Sequence, residues 1–260
     1  MSEFVRRERV GEVCIWTIDR PSARNAIDDQ VVGELEELMS EAERDLALRA
    51  VILTGGGESA FLSGADLKLL SHASPQHRAS VDQRVLRVLG RIEALPVPVI
   101  AALNGVVMGG GCEVALACDL RIGEAHTTVT FKHAAMSVTP GWGGLARLCR
   151  AVRPGIAAKL LYTALPLTAE EAREVGLLDE VVPKGQARTR ALELATAITQ
   201  TSPSCVADLK QLLRLGYTGA LTLEEEQRVF VARTESLDHQ EALAAFREKR
   251  RPAFRPRGQG

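Results

Sequence analysis

The chain of 260 residues has no excess of charge of either sign: its formal net charge is −1, with acids and bases interspersed. That excludes the electrostatic footprint of a nucleic-acid binder. It also lacks paired cysteines. Cys14, Cys112, Cys118, Cys149 and Cys205 show no CxxC spacing, and most lie in apolar segments. Free buried thiols in a reducing compartment are therefore expected, rather than disulfides or a metal site. HExxH, a Walker-type loop, GxGxxG and GxSxG are all missing, so nothing points to a metal, nucleotide hydrolysis, dinucleotide binding or a nucleophile elbow. The opening MSEFVRRERVGE holds no apolar run, and the expectation is a cytoplasmic protein without a signal peptide.

Residues 95–112 carry no charge, a length that by itself would suggest a membrane helix. The stretch contains Pro96, Pro98, Asn104 and four glycines, however, and Glu113 follows at once. It reads as a buried strand over 97–103, a turn at Asn104-Gly105 and a helix opened by glycines. No membrane partner is expected. A hydrophobic fraction of 46% with 25% charged residues is ordinary for a globular protein.

The pattern along the chain is α/β. Residues 4–10 and 13–18 read as a hairpin turning at Gly11-Glu12. Asp28 or Asp29 caps a helix with apolar residues from Val31 to Ala42 at helical spacing. A buried strand over 49–54 follows, then an amphipathic helix over 75–94 carrying Val81, Val85, Val88, Leu89 and Ile92 on one face. Strands at 97–103 and 120–122 flank the helix that starts at Gly109. Beyond Asp179 the reading is helical: 186–200, 205–215, 223–234 and 239–250. Residues 1–200 are read as the core and 201–260 as a helical region. The last stretch, with Arg247, Lys249, Arg250, Arg251, Arg255 and Arg257, is either a solvated end or a contact for phosphate groups.

Gly109-Gly110-Gly111-Cys112-Glu113 is the most informative segment. Small residues let a ligand approach the backbone, and the first amides of a helix lack intrahelical acceptors. Glu113 beside such donors gives an anion site next to a candidate general base; the alternative is a carboxylate that merely caps or pairs. Cys112, at the same helix start, is a less favoured nucleophile candidate. Forty residues upstream, Ser63-Gly64 follows a strand and a glycine loop, a second place where a backbone amide could be exposed.

Together, AFLSGADL (60–67) and NGVVMGGGCEVALACDL (104–120) resemble the crotonase, or enoyl-CoA hydratase/isomerase, superfamily. So do IDRPSARNA (18–26), TPGWGG (139–144), LTAEEA (167–172) and AFREKR (245–250). The resemblance implies a spiral of β-β-α repeats with a C-terminal helical region that builds a homotrimer or a homohexamer. It implies an acyl-CoA substrate, with coenzyme A as part of that substrate and no separate cofactor. Ser63 and Gly110 would supply the amides that hold the thioester oxygen. Glu113 would be one catalytic carboxylate, and the second acid/base position falls on His133 rather than on a glutamate, the alternative being a purely structural histidine. Ala23, Arg24, Ala65, Asp66 and Leu67 would line coenzyme A, as would Phe246 and Lys249 from the same or a neighbouring subunit. Pro140, Gly141 and Trp142 would border the acyl group. His72, His77, His126 and His239 read as surface residues.

Three activities are compatible with this reading. Hydration of an α,β-unsaturated acyl-CoA leads. Decarboxylation of a malonyl-CoA-type thioester is the alternative, because Phe131, His133, Met136 and Trp142 resemble the decarboxylase branch. The third is non-catalytic acyl-CoA binding, against which Glu113 argues.

Overall fold

The computed structural model describes residues 4–260, apart from the side chains of Leu67, Leu69 and Leu70. Strands β1 (Val5–Val10) and β2 (Val13–Ile18) form the expected hairpin, followed by helix α1 (Asp29–Arg44). The Asp28 carboxylate accepts from the Val31 amide at 3.0 Å and fixes that helix start. Next come β3 (Ala50–Gly55), β4 (Ala60–Leu62), α2 (Leu67–His72) and α3 (Pro75–Ala94). Then β5 (Val99–Leu103), β6 (Val106–Met108) and α4 (Gly110–Ala117) repeat the pattern, as do β7 (Leu120–Glu124), β8 (Thr128–Thr130) and α5 (Gly144–Ala151).

After the β1–β2 hairpin, the strand pairs β3/β4, β5/β6 and β7/β8 each split between two sheets. β3, β5 and β7 run parallel in a six-stranded sheet of order β1-β2-β3-β5-β7-β10, with β10 at Glu180–Val182. β4, β6 and β8 run parallel in a second sheet, edged by β9 (Leu167–Thr168). A chain that visits one sheet, then the other, then returns through a helix winds a spiral. Asn104 ties two of its corners: its amide donates to the Gly55 and Gly57 carbonyls at 2.8 and 2.7 Å.

Both faces of the large sheet are covered, as a mostly parallel sheet requires. Cys14, Trp16, Ile18, Val51, Leu53, Val99 and Ala101 face a core shared with α1, α3, α4 and the small sheet. The alternate residues Val13, Ile15, Ala50, Ile52, Ile100, Ala102 and Ile122 meet α8 (Ala187–Thr199). Its contact face is Ala187, Ala191 and Ala195, four residues apart and fully buried, which lets the helix lie close on the sheet. Helices α6 (Pro154–Thr163) and α7 (Ala169–Glu174) flank β9, and α9 (Pro203–Tyr217), α10 (Leu223–Thr234) and α11 (Leu237–Glu248) end the chain. The buried ammonium of Lys210 docks α9, donating to the Ile92 and Val97 carbonyls at 3.0 Å each and to Asp119 at 2.7 Å. Among the described residues, no helix is long and apolar enough to cross a membrane.

Candidate active site

The site forms where three segments far apart in sequence meet. The first is the loop over 20–27. The Arg20 guanidinium donates to the Ala26 carbonyl at 2.6 Å, pairs with Asp66 at 2.9 Å and Asp28 at 3.0 Å, and lies over the Phe4 ring. Buried Asn25 donates to the Gly56 and Ala60 carbonyls and accepts from the Arg20 amide. This clamped loop pairs with residues 63–66: Ser63 N–H donates to Arg24 O at 3.1 Å, Ile27 N–H to Gly64 O at 2.8 Å and Asp66 N–H to Ile27 O at 2.9 Å.

That pairing corrects the expectation for Ser63. Its amide is already spent on the Arg24 carbonyl and is unavailable to a ligand. The Ala65 amide, two residues on, donates to no described residue. Ala65, expected only to line coenzyme A, thus carries the available donor of this segment.

The second segment is the start of α4. The Gly110 amide likewise donates to no described residue and lies at the positive end of the helix. Gly64, with φ +94°, makes the approach of the two segments possible: a Cβ there would lie 2.8 Å from the Gly110 nitrogen. Only glycine fits both the backbone conformation and the space.

One turn further along α4, Glu113 projects from the same side as Gly110 and is 2% exposed. Its Oε2 accepts from the Trp142 amide at 2.8 Å and the Gly144 amide at 2.7 Å, so it caps α5 from another helix. A Cβ on Gly144 would come within 2.6 Å of that oxygen. Oε1 lies 3.1 Å from Nε2 of His133, which enters from the loop after β8. His133 is 7% exposed, and its Nδ1 is buried without a hydrogen-bond partner. The result is a carboxylate with one oxygen fixed by backbone and the other shared with an imidazole.

Trp142 completes the third segment. It is buried, its Nε1–H donates to Asp82 on α3 at 2.8 Å, and its carbonyl accepts from Arg147 at 2.6 Å. Arg147 in turn pairs with Glu93 at 2.6 Å. Pro140 is half-buried and Gly141 exposed beside it. Asp82, Arg147, Gly144 and the Ala65 amide were not foreseen in these roles. The Gly143-Gly144 pair was the available signal for a close approach, whereas nothing local marks Asp82.

The remaining sequence candidates are distributed as follows. Ala23 is half-buried and Arg24 exposed in the clamped loop, at φ +51°. Asp66 is buried, with its carboxylate engaged by Arg20 and by the Lys68 amide at 2.8 Å, so it positions the 63–66 segment. The Leu67 side chain lies outside the described residues. Phe246 is exposed on α11 and Lys249 ends that helix, and no hydrogen bond or ion pair among the described residues links either to the 20–27 loop. Much of the basic tail is paired: Arg250 with Glu241 and Glu248, while Arg257 is buried and donates to the Asp45 carbonyl at 3.1 Å. Burial pushes the Cys112 thiol up to about 12, which removes it as a nucleophile. Two clefts, of about 320 and 490 Å³, lie along α9 and at the ends of β2 and β3; Glu113, His133 and Gly110 line neither.

Residues 8–257 match the enoyl-CoA hydratase/isomerase family. The chain is 36% identical over 253 residues to the short-chain-enoyl-CoA hydratase of Clostridium acetobutylicum, covering 94% of each chain. It is 32% identical to the crotonyl-CoA hydratase of Syntrophomonas wolfei, over 97% of this chain and 98% of that one. The crystal structure of an enoyl-CoA hydratase from Bacillus anthracis superposes with a TM-score of 0.92 at 32% identity, covering 96% and 98% of the two chains. The two-sheet spiral thus has its counterpart in known proteins, and the chain belongs to the enoyl-CoA hydratase/isomerase family.

Proposed function

We propose that this enzyme adds water across the double bond of an α,β-unsaturated acyl-CoA. The observation that carries the reading is Glu113: Oε2 is held by two amides, Oε1 faces His133, and the free Gly110 amide lies one turn away. The thioester oxygen is held by the Ala65 and Gly110 amides. As the water oxygen bonds to Cβ, the C=C π pair moves toward Cα and the thioester oxygen gains enolate charge. Glu113 takes one proton from the water and returns that proton to Cα when the enolate collapses. One C–O and one C–H bond form, one π bond breaks, and nothing is oxidised or reduced. Removing an amide donor of this kind typically costs about 10²–10³ in kcat. His133 orients the carboxylate through its contact with Oε1. Coenzyme A enters as part of the substrate, not as a resident group.

One observation favours a second reading. The site pairs Glu113 with an imidazole instead of a second carboxylate, and its Nδ1 is unpartnered. Decarboxylation of a malonyl-CoA-type thioester would use the same amides to hold the enolate left when the Cα–carboxylate bond breaks and CO2 departs. His133→Glu separates the two. Paired carboxylates should keep or raise hydration of crotonyl-CoA, whereas a second negative charge beside a departing carboxylate should abolish loss of CO2 from methylmalonyl-CoA. Wild-type protein that decarboxylates methylmalonyl-CoA and leaves crotonyl-CoA untouched overturns the hydratase reading.

The assembly belongs to the same proposal. Tyr217, Leu223, Phe230 and Phe246 are exposed on or beside α9, α10 and α11, an apolar surface that suits a homotrimer or homohexamer. The five free cysteines suit a cytoplasmic setting.

A further inference from the structure

We infer that the indole of Trp142 is a wall limiting the length of the acyl group, and that Asp82 is the positioning residue that holds the wall in place. The inference rests on the placement of the thioester in the reading above. The reacting carbons lie between the Gly110 amide and Glu113, and Trp142 touches both of those residues. Its backbone amide is bonded to Glu113. Its ring is packed on the Gly110 α-carbon: a Cβ at position 110 would lie 2.7 Å from Cε3 and 2.8 Å from Cη2, and closer still to Cζ3. An acyl chain growing beyond its reacting carbons therefore meets the indole.

A ring that could swing aside would set no limit. This one is 4% exposed, and its Nε1–H donates to Asp82 across a separation of sixty residues. Rotation would leave the half-buried Asp82 carboxylate without this donor and the indole N–H without an acceptor. The backbone on either side is also fixed, by Glu113 at the nitrogen and Arg147 at the oxygen. A rigid wall discriminates by chain length because each methylene excluded from or admitted to an apolar pocket is worth roughly tenfold or more.

The test is titration calorimetry of the full chain with butyryl-CoA and decanoyl-CoA, saturated thioesters that cannot be hydrated, run beside hydration of crotonyl-CoA and trans-2-decenoyl-CoA. Wild-type protein should bind butyryl-CoA at least about tenfold more tightly, and Trp142→Ala should bring the two within about threefold. Asp82→Ala should move the same ratio, whereas Asp82→Asn, which keeps an acceptor for the indole N–H, should restore it. Should Trp142→Ala not fold, Trp142→Phe and Asp82→Ala report on the same ratio. An unchanged ratio in folded variants, or a wild-type protein without chain-length preference, overturns the inference. Loss of the hydratase reading shows separately, as absent hydration while the binding ratio still responds.

Discussion

Replacing Gly64 with alanine puts a methyl group against the amide assigned to the thioester oxygen. The new Cβ would lie 2.8 Å from the Gly110 nitrogen, 3.2 Å from the Met108 carbonyl oxygen and 3.4 Å from the Gly110 α-carbon. All three are backbone atoms and cannot rotate away. At φ +94° an L side chain also adds about 1–2 kcal/mol of strain, enough to lower Tm by a few degrees. The effect on turnover is much larger than the effect on stability. Crowding or displacing one preorganised donor removes about 2.7–4 kcal/mol of transition-state stabilisation, or about 10²–10³ in kcat. The assay is loss of the enoyl absorbance of crotonyl-CoA at saturating substrate, with circular dichroism and a melting curve on the same sample. Gly90→Ala is the control: nothing lies within 4 Å of its Cβ, and alanine inside α3 should leave turnover intact and add about 0.5–1 kcal/mol of stability. A folded Gly64→Ala protein that turns over within threefold of wild type would show that the Gly110 amide is not the donor.

Glu113→Gln should lower kcat by about 10²–10⁴ while leaving affinity for a saturated acyl-CoA within a few-fold, because the acid/base function is lost and the binding contacts are not; a fully active variant removes Glu113 from the mechanism. Thiol labelling of native protein at pH 8 should modify exposed Cys149 and spare Cys112 and Cys118, whose thiols burial pushes up to about 12. Mass spectrometry checks this, and ready labelling of Cys112 would restore it as a reactive thiol. Lys210→Ala should destabilise the fold by about 3 kcal/mol in urea unfolding, the low end for breaking a buried pair, because Asp119 keeps about a third of its side chain exposed; a change under about 0.5 kcal/mol would show that α9 is docked by its apolar contacts alone.

What could be read from the sequence divides by range. Helix α3 runs over the expected 75–94 because its signals are local: Ser74 accepts from the His77 amide, Pro75 opens the first turn, and Val81, Val85, Val88, Leu89 and Ile92 recur on one face. The hairpin and α1 were legible for the same reason. The small sheet was not. Its core strands β4, β6 and β8 are three residues each, too short to show a period, and β6 lay hidden in what read as a turn leading to a helix. The site divides in the same way. Glu113 and Gly110 stand within one turn of one helix, so a motif holds them together. Which amide upstream stays free depends on how residues 24–27 pair with 63–66, a non-local fact that moved the donor from Ser63 to Ala65. His133, Gly144 and Asp82 reach the site from other elements, and each is defined by what it meets there. A carboxylate capping a second helix, an indole held from a third and a glycine that must stay bare are properties of contacts between segments. Chemistry that depends on such contacts is encoded in the sequence, but the local spacing of residues does not display it.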